Sequence, residues 1–434
     1  MKYIMRFFIA FSVFLPITAT ANTNVVFIPV DDLFDYNRFE ELYGQEVHTP
    51  NLDNLAQQGT SYTRAYTLAT WCQPARAGIM YGLSAATHKV GLTESRPRQD
   101  TPEYSALFDN PQLRSIPEIL SDNGYITASA GKVFHFARPD KWDVNGPVVK
   151  MQSFTGVHNP PEIVTFMQAG VWPEDQVHPD QNVANWGVDF IENHDGQQPF
   201  FLTLGFFQPH VNRASPQWAW DMYSNVTAIE PLPGDWDDIP AQGVEYARRP
   251  YIFGVPEYDK IYAAGAKVHH TQGYLASVTY IDTLVGQVLA AVAASPYADN
   301  TIVIVTSDHG YHLGEKFHWR KHTYWEQSLR IPLIIDSKGA IPDGEVALPV
   351  SLLDIAPTVV DLALNISVPQ HEGVSLRTGR SPVKIHMDNG EATVSDAGMK
   401  VIDYDQSITG DVDREVYNLT SDEHEYTNLV VPGC

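Results

Sequence analysis

The chain has 434 residues, 44% of them hydrophobic, and carries a formal net charge of −24. Such a length exceeds one average domain but suits a large α/β domain with a small appendage, and it gives enough apolar side chains for a substantial core. The acidic balance argues against nucleic-acid binding and would repel a polyanion over most of the surface, so any anion site must be locally basic.

At the N-terminus, Lys2 and Arg6 precede an apolar run from Phe7 to Ile17 and the small-residue segment Ala19-Thr20-Ala21. This pattern predicts a secretory signal peptide over 1–21 and a mature chain starting near Asn22. The apolar run is short for a membrane anchor, and no later stretch reads as apolar enough to span a bilayer. Asn24 to Val30 is a short run rich in β-branched residues that ends in Asp31-Asp32. It predicts a buried parallel strand with two carboxylates at its C-terminal end, where open α/β sheets bind ligands. The acidic pair fits a turn or helix cap as well as a metal site.

Thr49 to Gly59 predicts a helix leading to Thr70-Trp71-Cys72-Gln73-Pro74-Ala75-Arg76. Pro74 suits the first turn of a helix, which places Cys72 at a helix N-terminus with Arg76 four residues on, over the same face. Unpaired N–H groups, the positive end of the helix dipole and a nearby cation make a pocket for a tetrahedral oxyanion. Cys72 is therefore a candidate nucleophile, although a buried cysteine also serves as a small apolar side chain. Cys434 is the only other cysteine, so no disulfide framework is implied.

Ser115 to Asn123 predicts a helix and Tyr125 to Ala130 a strand, followed by Gly131-Lys132-Val133-Phe134-His135. A lysine and a histidine three apart at a strand end can hold an anion and move a proton, or simply lie on the surface. Pro199 to Phe207 predicts another strand, delivering Gln208-Pro209-His210. From there to residue 270 the chain is rich in Pro, Trp, Tyr and Asp with little periodicity, which predicts a long loop region. From Tyr274 to Leu289 apolar residues recur at helical spacing, a core helix. Thr301 to Thr306 is the clearest strand, ending in Ser307-Asp308-His309-Gly310, and Tyr311 to Trp325 concentrates His, Lys, Arg and Trp. Ile331 to Ile335 predicts a strand and Ser351 to Leu364 a helix interrupted by Pro357.

VDD after the first strand, CxPxR, GKxxH, PH after a mid-chain strand, SDHG and the lysine of GEKFHWRK occur in one order between residue 24 and about 335. In that order they resemble the type I sulfatases of the formylglycine-dependent, alkaline-phosphatase-like superfamily. GKVFH, YLASVTYIDTLVGQVL and SDHG-x-x-LGE followed by Lys321 look most similar to iduronate-sulfatase-like enzymes, and REVYNLTSDEHEYTNLV is similar to the tail of many sulfatases. Ala75 stands where the family most often has serine, and Tyr81-Gly82-Leu83 replaces a common Thr-Gly-Arg.

The resemblance implies an α/β fold, a large mixed but mostly parallel sheet flanked by helices, with a catalytic domain over 22–366 and a small C-terminal α+β subdomain over 367–434. It implies that Cys72 becomes formylglycine through a formylglycine-generating enzyme, giving a diol that attacks sulfur and later regenerates the aldehyde. Asp31, Asp32, Asp308 and His309, together with residue 72, map onto ligands for Ca²⁺, with Mg²⁺ the alternative. Arg76 and Lys132 would hold the diol, His135 would take its proton during release, and His210 and Lys321 would contact the sulfate. The implied partner is a sulfated carbohydrate, with no nucleic acid and no membrane after signal cleavage, in a secreted or periplasmic protein. A phosphoesterase or phosphonate monoester hydrolase on the same scaffold, and a non-catalytic glycan binder, are the competing expectations. Trp142, Trp218, Trp220, Trp236, Trp319 and Trp325 are candidates for stacking on a sugar ring, with about a third of them expected at the site.

Overall fold

The computed structural model describes residues 23–92, 98–154, 168–249, 256–387, 390–405 and 413–430. The leader expected over 1–21 and Cys434 lie outside them. In chain order the main sheet uses β1 (Asn24–Val30), β2 (Thr60–Tyr62), β3 (Ile126–Gly131), β4 (Val144–Asn145), β5 (Phe200–Gly205), β6 (Thr301–Ser307), β7 (Leu333–Asp336) and β8 (Gly344–Val346). Across the sheet the order is β8-β2-β7-β6-β1-β5-β3-β4. The block from β6 to β4 is parallel, whereas β7 runs antiparallel to both β6 and β2.

Every residue of β1 is buried, as expected of a central strand covered on both faces. Its alternate residues enter two cores. Val25 and Phe27 pack with α2 (Cys72–Tyr81), α3 (Ile116–Asp122) and α6 (Ile355–Leu364) through Ile79, Leu120 and Val359. Val26, Ile28 and Val30 face α1 (Pro50–Gln58), α4 (Pro179–Asn193) and α5 (Lys267–Ala294) through Leu55, Val183 and Val278. α5 has 28 residues, about 42 Å at 1.5 Å per residue. Contrary to the expectation from sequence, it is long and apolar enough to cross a membrane, but its apolar side chains are spent on the core.

Two local expectations are corrected. The stretch after His210 is not one long loop: it contains the strand Arg213–Ser215 and the short helices Gln217–Met222, Ala241–Ala247 and Glu257–Ala263. Pro216, Pro240 and Pro256 cap these helices, so the prolines that read as loop residues are helix starts. Pro357 does not interrupt a helix. A 3₁₀ turn over Leu352–Asp354 leads into α6, whose first turn holds Pro357 where N–H groups have no intrahelical partner.

After α6, β9 (Val383–Met387), β10 (Gly390–Val394), β11 (Met399–Tyr404) and β12 (Arg414–Asn418) form a separate antiparallel sheet. Ile385, Ile402 and Tyr417 share the core beneath α2 and α6.

Candidate active site

Strand register builds the site. β1 pairs β6 from Asn24↔Thr301 to Val30↔Ser307, so Asp31-Asp32 and Asp308-His309 leave neighbouring strand ends side by side. β3 pairs β5 to Gly131↔Gly205, and the Lys132 N–H donates to the Gly205 carbonyl at 2.7 Å. A Cβ on Gly205 would lie 2.1 Å from the Lys132 carbonyl oxygen, so only glycine lets the two chains approach and aim Lys132 inward. Four adjacent parallel strands thus deliver Asp31, Lys132, His210 and Asp308 to one edge, the C-terminal edge where such sheets bind ligands.

Cys72 is the first residue of α2 and is 2% exposed. Its Sγ lies 3.1 Å from Lys321 Nζ and 3.3 Å from His309 Nε2, and 3.9 Å from Asp32 Oδ1. His210 offers a ligand atom within 4.8 Å of those of Asp31, Asp32 and Cys72, and His135 also lies beside the thiol. The four cationic or basic residues expected at the site, Lys132, His135, His210 and Lys321, are therefore all brought to Cys72 and are not solvated surface groups. Lys132 and Lys321 are buried and paired with Asp31 and Asp32.

Arg76 takes a place that its spacing alone did not specify. Its Nε donates to Asp308 Oδ2 at 2.7 Å, its Nη2 to Asp31 Oδ1 at 3.2 Å, and its Nη1 to the Lys132 and Val133 carbonyls. One guanidinium fork ties α2 to three strand ends.

Electrostatics follow from this packing. Burial pushes the Cys72 thiol up, but Lys132, Lys321 and His309 outweigh it and hold the group well below the usual thiol range. Burial and the neighbouring Cys72 raise Asp31 well above the carboxylate range despite Lys132. Asp32 and Asp308 are held low against the burial penalty, Asp32 by His210, Lys321 and His309, and Asp308 by Arg76 and His309. Burial lowers His210 to about 4 and also lowers His135, whereas Asp308 raises His309 despite burial.

The donor set fits a divalent cation. Ligand atoms of Asp31, Asp32, Cys72 and His210 lie within 4.8 Å of one another, as do those of Cys72, Asp308 and His309. Asp32 Oδ2 is buried without a hydrogen-bond partner, a lone acceptor of the kind a hard cation satisfies.

Several supporting residues escaped the sequence analysis. Tyr274, which the helical pattern assigned only to the core, donates its hydroxyl to the Asp32 carbonyl at 2.6 Å and accepts from the Phe34 N–H at 2.9 Å. Ser307 Oγ accepts from the Leu33 N–H at 2.9 Å. These contacts fix the Asp32 backbone in the left-handed region, at φ 63°, which an aspartate tolerates better than most residues. Asp180 accepts from the Phe207 and Gln208 N–H groups at 2.8 and 3.0 Å and so holds the segment that carries His210. A tyrosine in an apolar helix and an aspartate near a helix start carry no distinguishing sequence signal. Of the tryptophans, Trp142, Trp220, Trp319 and Trp325 are buried core residues, and Trp218 is 44% exposed.

A buried thiol at a helix N-terminus, ringed by cations and three carboxylates at the edge of a mixed α/β sheet, defines a hydrolase built for a tetrahedral oxyanion ester. The sulfatase family model matches residues 23–366, and the chain belongs to that family. It is a sulfuric ester hydrolase. A sulfatase of Formosa agariphila is 32% identical, with 93% of this chain and 82% of that protein covered. Human iduronate 2-sulfatase is 27% identical over 73% of this chain and 60% of its own length. A solved structure in complex with its substrate D-glucosamine-2-N,6-O-disulfate superposes with a TM-score of 0.71 at 21% identity, covering 94% of this chain and 93% of that one. A phosphonate monoester hydrolase of Agrobacterium radiobacter gives 0.72 at 18% identity, covering 95% and 92%, so the fold is shared across both kinds of ester.

Proposed function

We propose that the protein hydrolyses sulfate esters on a carbohydrate, using residue 72 as a formylglycine nucleophile. The observation that carries this is the placement of Cys72 Sγ, 3.1 Å from Lys321 Nζ and 3.3 Å from His309 Nε2 at the start of α2. The thiol stands in for the hydroxyl oxygens of the hydrated aldehyde, in a pocket whose cations already favour an anionic group at that position. Asp31, Asp32, Asp308 and His309, with residue 72, would hold Ca²⁺ or Mg²⁺. Such an ion supplies positive charge to a sulfate oxygen and to the ionising nucleophile.

The chain's own groups divide the remaining work. Arg76 fixes the carboxylates of Asp31 and Asp308, and Lys132, paired with Asp31, adds a second cation near residue 72. Lys321 and His210 contact the sulfate, and one of them protonates the leaving oxygen. His135, beside residue 72 and held neutral by burial, is suited to accept the proton of its hydroxyl. Relatives named iduronate 2-sulfatase and N-acetylglucosamine-6-O-sulfatase support a sugar substrate. The pattern around Lys2, Arg6 and Ala19-Thr20-Ala21 supports export to the periplasm or medium, with residues 367–434 as a C-terminal subdomain.

Co-expression with a formylglycine-generating enzyme should give an aldehyde in the residue-72 peptide by mass spectrometry, with turnover of an aryl sulfate that exceeds that of the matched aryl phosphate. Fully active protein carrying only thiol would sink the nucleophile. Faster turnover of phosphate or phosphonate esters would favour the other activity of this scaffold. Release of sulfate from defined sulfated oligosaccharides would assign the sugar.

A further inference from the structure

Beside the catalytic pocket lies a second group of cationic and donor side chains that the sulfatase reaction does not use. Arg213, in the strand Arg213–Ser215, is fully buried at 0% exposure. Its Nε donates to the Pro209 carbonyl at 3.1 Å, but Nη1 and Nη2 have no hydrogen-bond partner. Among the described residues no carboxylate forms an ion pair with it. Its guanidinium is instead layered against two rings, 4.7 Å from the centroid of Tyr311 and 5.1 Å from that of Tyr274.

The neighbours repeat the same deficit. His270 lies one turn before Tyr274 on the same face of α5, has 0% exposure, and has neither ring nitrogen hydrogen-bonded. Burial, and then the charge of Arg213, keep it neutral, so it offers one N–H. The Tyr311 hydroxyl and the Trp319 Nε1 are also buried without partners, and the Trp319 ring meets that of His270 at 6.1 Å and 79°. These unsatisfied groups are donors, apart from the one acceptor nitrogen of a neutral His270.

A buried charge without a counter-charge is costly, and each buried donor left unpaired adds to that cost. Stacking against tyrosine faces recovers only part of that. A single small anion would satisfy the guanidinium and the N–H and O–H groups together. The full burial of Arg213 favours a small occupant over a hydrated dianion the size of sulfate. We propose that Arg213, His270 and Tyr311 form an internal site for one small monovalent anion of the halide class, chloride being the natural occupant. It neutralises Arg213 and braces the Tyr274–Tyr311 pair, whose rings lie 5.0 Å apart. Since Tyr274 also holds the Asp32 backbone, the site is a structural support for the catalytic edge and does not depend on which ester is cleaved.

The test is crystallographic and thermal, on the whole protein. Crystals grown or soaked in bromide should show an anomalous peak within hydrogen-bond reach of Arg213 Nη1 or Nη2. Melting at constant ionic strength should rise saturably by about 2 °C or more when gluconate is replaced by chloride or bromide, and the Arg213→Met variant should lose that rise. Bromide only among Lys132, Lys321 and residue 72, or water alone at Arg213 with equal melting in gluconate and chloride, would overturn the proposal. If Arg213→Met does not fold, the anomalous peak in the unmodified protein decides.

Discussion

Lys321 Nζ stands 3.1 Å from Cys72 Sγ while the same ammonium is ion-paired with Asp32. One cation therefore serves the nucleophile and a carboxylate of the candidate metal site at once. Replacing it, Lys321→Ala, should lower kcat/KM for sulfate esters by about 10²–10³-fold, the scale of losing one preorganised electrostatic contact. Metal content should stay close to that of the parent, because the carboxylate ligands are all retained. Near-normal kinetics would mean that the ammonium is only a counter-charge for Asp32.

Asp308 accepts from Arg76 and borders His309 and the thiol, so Asp308→Asn should remove bound metal and activity together. Elemental analysis of dialysed protein, read beside rates, checks this. Full activity in strong chelator after exhaustive dialysis would contradict it.

Tyr274→Phe removes the hydroxyl that bridges the Asp32 carbonyl and the Phe34 N–H, yet keeps the ring in the core. Metal affinity should fall about 10–100-fold, as expected when a group that orients a ligand is lost. Titration of metal-free protein should show the weaker binding, with activity restored at high metal concentration.

His88 is buried, its Nδ1 accepting from the Val90 N–H at 3.0 Å and its Nε2 donating to the Pro74 carbonyl at 3.1 Å. Burial lowers it to about 4, against about 6.5 in an unfolded chain. Between those values the unfolded state takes up a proton that the folded state refuses. The contribution is complete above about pH 6.5 and is lost as pH falls towards 4, by at most about 3 kcal/mol. His88→Gln should flatten the fall in melting temperature between pH 7 and 5, and an unchanged slope would count against it.

Far from the reacting centre in sequence, Glu425 is fully buried against Lys400 at 2.6 Å and accepts from the Glu326 N–H at 2.7 Å, while its carbonyl accepts from Lys316. Glu425→Ala should destabilise the fold by about 1–3 kcal/mol, because the buried Glu326 N–H loses its acceptor and Lys400 is left with Glu326 as its counter-charge. Urea unfolding would measure it, and a loss under 1 kcal/mol would show that the tail is not integral to this core.

Sequence patterns captured the parts of this molecule that arise from strong local rules. Short apolar runs rich in β-branched residues marked β1 and β6, and strand ends marked Asp31, Lys132, His210 and Asp308, because side chains at the C-terminal edge of a parallel sheet necessarily converge. What escaped was set by long-range packing. Tyr274 reads as one more apolar position of α5, and only the fold shows its hydroxyl under Asp32. Arg213 falls in the stretch that predicts a long loop, and only the strand pairing at Gln168 and the helix beneath it make it internal. Pro357 misled in the opposite direction, since a proline breaks a helix only where an N–H was needed.

The register Val30↔Ser307 has a temporal consequence. Cys72 is enclosed only when β6 pairs with β1 and sets His309 against its sulfur, and 237 residues separate those two side chains. At about 5–20 residues per second a ribosome takes roughly 10–50 s to make that stretch. During that interval residue 72 is still open to any enzyme that must handle it, and once β6 is in place the thiol is shut behind two lysines and a sheet edge. The time available for chemistry on residue 72 is thus set by the length of chain between Cys72 and the end of β6.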